Sequence, residues 1–212
     1  MARGILWIVL MVCALLLAGC SSHPPSAAQF MNVKEDGSAI VIGGTAKVGD
    51  LHRGENRLRS DYTDGELFGD LDLALLFRYN HLVMGFYSEN LFSASGLAGL
   101  RWEYVGIQGW SGMTIGIENQ VPIYGGLMLI EEKPLSWNVR VGLCEYFSRS
   151  AYFVDENGAG LGSPSTGFYN EFGAGIYLAY KAFSVELRYG REIDEPRNRF
   201  YFMVNYGFDS DG

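Results

Sequence analysis

Polar and apolar residues alternate along most of this chain. Phe183, Val185, Leu187 and Tyr189 share one parity and Ser184, Glu186 and Arg188 the other. After a polar stretch, Phe200, Phe202, Val204, Tyr206 and Phe208 repeat the pattern against Tyr201, Met203, Asn205 and Gly207. Side chains on a strand point to opposite faces in turn, so each segment predicts a strand with one apolar and one mixed face. The same period runs through Leu71–Tyr79, Leu82–Phe86, Ala98–Tyr104, Met113–Ile117, Leu135–Leu143 and Phe172–Tyr180. Two segments are weaker. Ile40, Ile42, Ala46 and Val48 surround Gly43-Gly44, and Val121–Ile130 is apolar or glycine on both faces.

The mixed faces carry Asp70, Asp72, Arg78, Arg101, Glu103, Glu118, Arg140, Glu171, Glu186 and Arg188. A charge at the bilayer midplane of a barrel costs roughly 2–4 kcal/mol, so these faces are expected to line a lumen, with the apolar faces against lipid. Aromatics near the strand ends suit the two membrane interfaces. Short turns are expected at Asn80-His81, Gly106–Gly109, Glu131–Pro134 and Lys181-Ala182. Longer loops are expected at 49–65, 90–94, 148–165 and 192–198. The prediction is an all-β, antiparallel, up-and-down transmembrane barrel of about eight to ten strands, with short turns and chain ends on one side.

Residues 1–19 stand apart. Arg3 precedes an apolar run from Ile5 to Leu17, the length of a signal-peptide core. Leu17-Ala18-Gly19-Cys20 resembles the lipobox of bacterial lipoprotein signals. That resemblance implies cleavage before Cys20, diacylation of its thiol and acylation of the new amino terminus with palmitate-class chains. Ser21 and Ser22, with no Asp after the cysteine, resemble the sorting pattern for the outer membrane of a Gram-negative cell. Lipoprotein-sorting machinery is then an implied partner, with the anchor in the periplasmic leaflet. Residues 20–38 are expected to be a flexible tether and 39–212 the barrel. With Cys13 in the signal and Cys20 acylated, Cys144 is left without a disulfide partner and is expected to pack as a small apolar residue.

Composition narrows the class. Glycine is 28 of 212 residues, against a usual share of about 7%. Aromatics are 14% and prolines only 6, which suits strands better than helices. A net charge of −8 gives nucleic-acid binding no support. Over residues 39–208 the chain resembles small outer-membrane barrels of the OmpA and OmpX type. Members end in a strand with a terminal aromatic that the barrel-insertion machinery reads. Phe200, Phe202, Val204, Tyr206 and Phe208 match; Asp209-Ser210-Asp211-Gly212 extends beyond the usual stop.

No zinc spacing, nucleophile elbow or phosphate loop is present in the sequence, and no cofactor is expected. His52, with Asp61 and Asp64, reads as a solvated loop. His81 reads as a turn residue, and Asp155-Glu156-Asn157-Gly158 lacks calcium-loop spacing. The expectation is a non-enzymatic, lipid-anchored envelope barrel with a structural, adhesive or interaction role and a lumen filled by side chains. Two alternatives stand: a narrow pore for ions or small solutes, and a soluble lipocalin-like lipoprotein with the same strands turned inside out around an apolar ligand.

Overall fold

In the computed structural model, ten antiparallel strands follow one another and the last closes on the first. The structure describes residues 23–49, 66–89, 93–114, 123–154, 165–193 and 198–209. The strands are β1 (Ser38–Gly49), β2 (Glu66–Tyr79), β3 (Leu82–Glu89), β4 (Ser93–Arg101), β5 (Val105–Thr114), β6 (Ile123–Ser136), β7 (Val139–Val154), β8 (Ser165–Tyr180), β9 (Phe183–Glu192) and β10 (Asn198–Asp209). Each pairs with its neighbours in sequence, and β1 seals the cylinder against β10 from Ala39↔Asp209 to Gly49↔Arg199. Closure leaves no edge strand with unpaired backbone groups. Both weak segments, β1 and β6, are strands, which makes the count ten. Asp209 belongs to the closing strand and lies 3.1 Å from Lys34 Nζ.

The facing follows the alternation. Leu71, Leu73, Leu75 and Phe77 point outward and are exposed, while Asp70 and Asp72 are buried inside. The same holds for Phe172, Ile176 and Leu178 against Glu171, and for Leu187 and Tyr189 against Glu186 and Arg188. The inside-out lipocalin alternative is thereby overturned, because the apolar face is the outer one. Tyr79, Trp102, Tyr104, Trp137 and Tyr180 ring the short-turn end on the outside. Their rings have one dry and one wet side, as an interfacial girdle requires.

Two turns sit elsewhere than the glycines and prolines suggest. Gly106–Gly109 lies inside β5, and the chain turns at 102–104. Glu131–Pro134 lies inside β6, with a register shift between Pro134 and Ser136, and the turn is Trp137-Asn138. The Asn80-His81 and Lys181-Ala182 turns are where the sequence places them. Asn80 and Lys181 each have φ 53°.

The largest departure is the amino-terminal segment. From His23 onward the expected tether is the filling of the bore. Its one helix, α1 (Ala27–Asn32), lies inside the cylinder, and His23, Ala27, Ala28, Gln29, Phe30, Met31 and Val33 are buried. Only residues 34–36 are exposed as the segment turns towards β1. A ten-strand barrel is too wide for its own side chains to meet everywhere across the axis, and α1 occupies the remaining space.

Candidate functional site in the plugged lumen

The segment is built to be a helix. Ser26 caps α1 by accepting the Gln29 backbone N–H at 3.1 Å, and Ser26-Ala27-Ala28-Gln29 has the spacing of a capping box. Pro24-Pro25 holds the preceding chain extended. One side of the segment is apolar. Phe30, Met31, Ala27 and Ala28 join Leu76, Val83, Met128, Ile130, Cys144 and Ala179 of the wall in one buried cluster. A Cβ at Gly99 or Gly106 would collide with Phe30 or Met31, so these glycines make room for the plug.

Both ends of α1 meet charge of the sign its dipole favours. At the amino end, Glu186 accepts from Ser26 Oγ and from the backbone N–H groups of Ala27 and Ala28, each of the latter at 3.2 Å. Arg188 bridges Glu186 at 2.5 Å and donates to the Pro24 and Pro25 carbonyls at 3.0 and 2.9 Å. At the carboxyl end three arginines from three strands converge. Arg78 and Arg101 both donate to the Val33 carbonyl, and Arg140 donates to the Met31 carbonyl and to Asn32 Oδ1. Gln29 donates to Ser184 Oγ at 3.0 Å and to the Ala182 carbonyl at 3.2 Å.

Deeper in the bore, His23 closes a second network. Its ring lies 3.1 Å from Asp72 Oδ1 and 3.0 Å from the Tyr87 hydroxyl, and its backbone N–H donates to Glu89 at 3.1 Å. Thr45 donates to Asp72, and Lys47 pairs with Asp70 and with Glu89 at 3.5 Å. His23, Asp70 and Glu89 offer ligand atoms within 4.8 Å of one another, the only such metal-like group among the described residues. The Lys47 ammonium stands against two of the three, so their charge is met by the protein's own cation. The hydrogen-bond partners of the His23 ring are a carboxylate, a phenol and a backbone carbonyl. Glu171 anchors a third network, accepting from Tyr146 at 2.7 Å, Tyr201 at 3.0 Å and Arg199 at 3.2 Å.

Of the ten charges expected in the lumen, Asp70, Asp72, Glu171, Glu186 and Arg188 are buried there. Arg78, Arg101 and Arg140 line its short-turn mouth. Glu103 is a correction: it sits exposed in the 102–104 turn, because β4 ends at Arg101. Glu118 and the lipidation candidate Cys20 lie outside the described residues, as do His52, Asp61, Asp64 and Asp155–Gly158. His23, Lys47, Glu132 and Arg199 complete the networks and escape the alternation argument. Lys47 belongs to the weak β1, Glu132 falls in a stretch whose sequence reads as a turn, and Arg199 lies at the very start of β10. The capping spacing at Ser26–Gln29 was the legible sign of the plug.

An outward apolar surface, an interfacial aromatic ring and a bore of paired charges define a transmembrane β-barrel, here filled by its own amino-terminal segment. No family model and no curated protein matches the chain. Among solved structures it is similar to the N-terminal β-barrel domain of Pseudomonas aeruginosa OprF, at 10% identity and a TM-score of 0.39, covering 80% of this chain and 97% of that one. It is also similar to Neisserial surface protein A, at 12% identity and a TM-score of 0.39, covering 81% and 97%. An outer membrane channel from Pseudomonas putida F1 matches at 11% identity and a TM-score of 0.42, covering 88% and 100%.

Proposed function

We propose that this chain is a non-enzymatic envelope barrel of a Gram-negative outer membrane, sealed at rest by its own residues 23–33. Its role is structural, adhesive or interactive, exercised through the loops at the end opposite the short turns. Outer-membrane lipid is its solvent, and an acylated Cys20 adds a second attachment. The barrel-insertion and lipoprotein-sorting machineries are its partners during biogenesis.

One observation carries this reading: the buried charges of the lumen, such as Asp72, Glu171, Glu186 and Arg188, are paired with the plug or with one another, while the outer face is the apolar one. Buried charges that are paired and hydrogen-bonded in this way are costly to part, which favours a filled bore over an open path. The test is to isolate outer membranes, compare gel mobility before and after heating, and record current across a planar bilayer. The expected result is a heat-modifiable band in the membrane fraction and no steady current at rest. A band in the soluble fraction would sink the membrane reading. A steady, always-open conductance would sink the sealing.

A further inference from the structure

The plug and a lipid on Cys20 compete for the same length of chain. His23 is bonded to Asp72 and Glu89, which face each other across β2 and β3. Asp72 lies seven residues from the short-turn end of β2 at Tyr79 and six from the other end at Glu66. At a rise of about 3.3 Å per residue and a tilt near 40°, His23 therefore sits roughly 15–18 Å from either end of that strand. Cys20 is three Cα steps away, a span of at most about 11 Å. Seating His23 thus keeps the Cys20 backbone short of either end of the strand, so burying acyl chains in a leaflet works against the seated plug. From Ser38, by contrast, the eighteen residues back to Cys20 extend about 60 Å, ample for the periplasmic leaflet.

No backbone ladder holds the segment in place; the wall backbone meets it through the Ala182 and Lys181 carbonyls, which accept from the Gln29 and Asn32 side chains. Its bonds to the barrel, among the described residues, run through side chains such as Glu186, Arg188, Ser184, Asp72 and Arg101, and no strand pairs with it. It joins β1 at the short-turn mouth, so it can leave by that mouth without breaking a ladder.

We infer that residues 23–33 are a withdrawable plug and that the vacated lumen is an ion pore with unlike charge along its axis. This rests on the membrane-barrel reading above. Withdrawal removes the carbonyls of Met31 and Val33 from Arg78, Arg101 and Arg140. Two carboxylates remain beside these three guanidiniums, Glu132 at 3.7 Å from Arg140 and Glu35, on the link to β1, at 3.9 Å from Arg78, which leaves the cations in excess. The mouth becomes cationic. Deeper in, Asp72 and Glu89 lose His23. Charge rings at a constriction control which ions enter, and a cationic mouth backed by an acidic interior passes current unequally in the two directions.

Two experiments decide this. The first deletes residues 24–32, verifies membrane insertion and heat modifiability, and records single-channel current in symmetric salt. Stepwise conductance is expected, with currents differing at least twofold between the two voltage signs. In the same deletion, Arg78→Gln with Arg101→Gln and Arg140→Gln is expected to even them. A folded, silent barrel overturns the pore, and a rectification that survives the triple change overturns the charged mouth. The second experiment leaves the plug intact and labels Cys144, buried in the same apolar cluster as Phe30 and Met31, with a small maleimide in isolated membranes. The acylated chain is expected to label several-fold faster than Cys20→Ala. Equal protection in both overturns withdrawal, and this arm stands even if the deletion fails to insert.

Discussion

The glycines of the mixed faces serve the tyrosines opposite them. Gly142 pairs with Tyr177, and Gly173 with Tyr146, across the β7–β8 ladder. A Cβ at either glycine would lie within its partner's ring. The ring thus lies flat over bare backbone, and its hydroxyl reaches a lumen carboxylate: Tyr177 donates to Glu132 at 2.9 Å and Tyr146 to Glu171 at 2.7 Å. Gly142→Ala is expected to lift the Tyr177 ring and break that bond, costing about 1–3 kcal/mol. A lower urea midpoint for unfolding from lipid vesicles would show it; an unchanged midpoint would mean the ring has room to spare. A second residue works the other way. Lys181 holds φ 53° in a hairpin turn, a conformation that costs an ordinary side chain about 1–2 kcal/mol and asparagine less. Its backbone carbonyl, not its side chain, accepts from Asn32, so Lys181→Asn keeps that bond. It is expected to raise the same midpoint. At this scale the sequence shows abundant glycine but not its use. Gly106–Gly109 reads as a turn because glycine marks turns, whereas Gly106 is needed so that β5 can pass beside Met31 and Phe30.

At the scale of elements, alternation was a sound guide wherever lipid lies on one side and charge on the other. β2 is the clearest case, and it carries a prediction. Leu73→Arg sets a charge against lipid at a cost of roughly 2–4 kcal/mol and is expected to reduce the heat-modifiable band sharply. Asp72→Asn keeps a polar group facing Thr45 and His23 and is expected to assemble nearly normally. Equal assembly of the two would contradict the facing. β6 was illegible for a physical reason. Its inner residues Met128 and Ile130 meet the apolar side of α1 while Leu127 and Leu129 meet lipid, so both of its faces are greasy. The helix shows in the sequence only through its capping spacing at Ser26–Gln29. Six residues are too few for a periodic signal, and α1 holds its shape through Glu186 and three arginines that are distant in sequence.

For the molecule as a whole, the barrel and the proposed acyl anchor on Cys20 can be tested apart. The barrel presents an apolar exterior of its own, so Cys20→Ala is expected to remain in the outer-membrane fraction after high-salt and alkaline washing. Release of that variant into the wash would mean the acyl chains, not the strands, hold the protein. The alternation legible in the chain sufficed for the cylinder and its facing. It did not suffice for the filling, because a plug is defined by what surrounds it.

The seam between β1 and β10 also imposes an order of events. Ala39 pairs with Asp209, so the cylinder cannot close until the final strand has been delivered. The bonds that seat the amino end of α1 are nearly as remote: Ser26 and Glu186 are 160 residues apart. Contacts of such long range form late, because the chain entropy lost in joining them is recovered only when the rest is in place. During assembly the amino-terminal segment must therefore wait outside an unfinished ring. It becomes the last piece fitted, and its docking reports that the ring around it was completed in the right register.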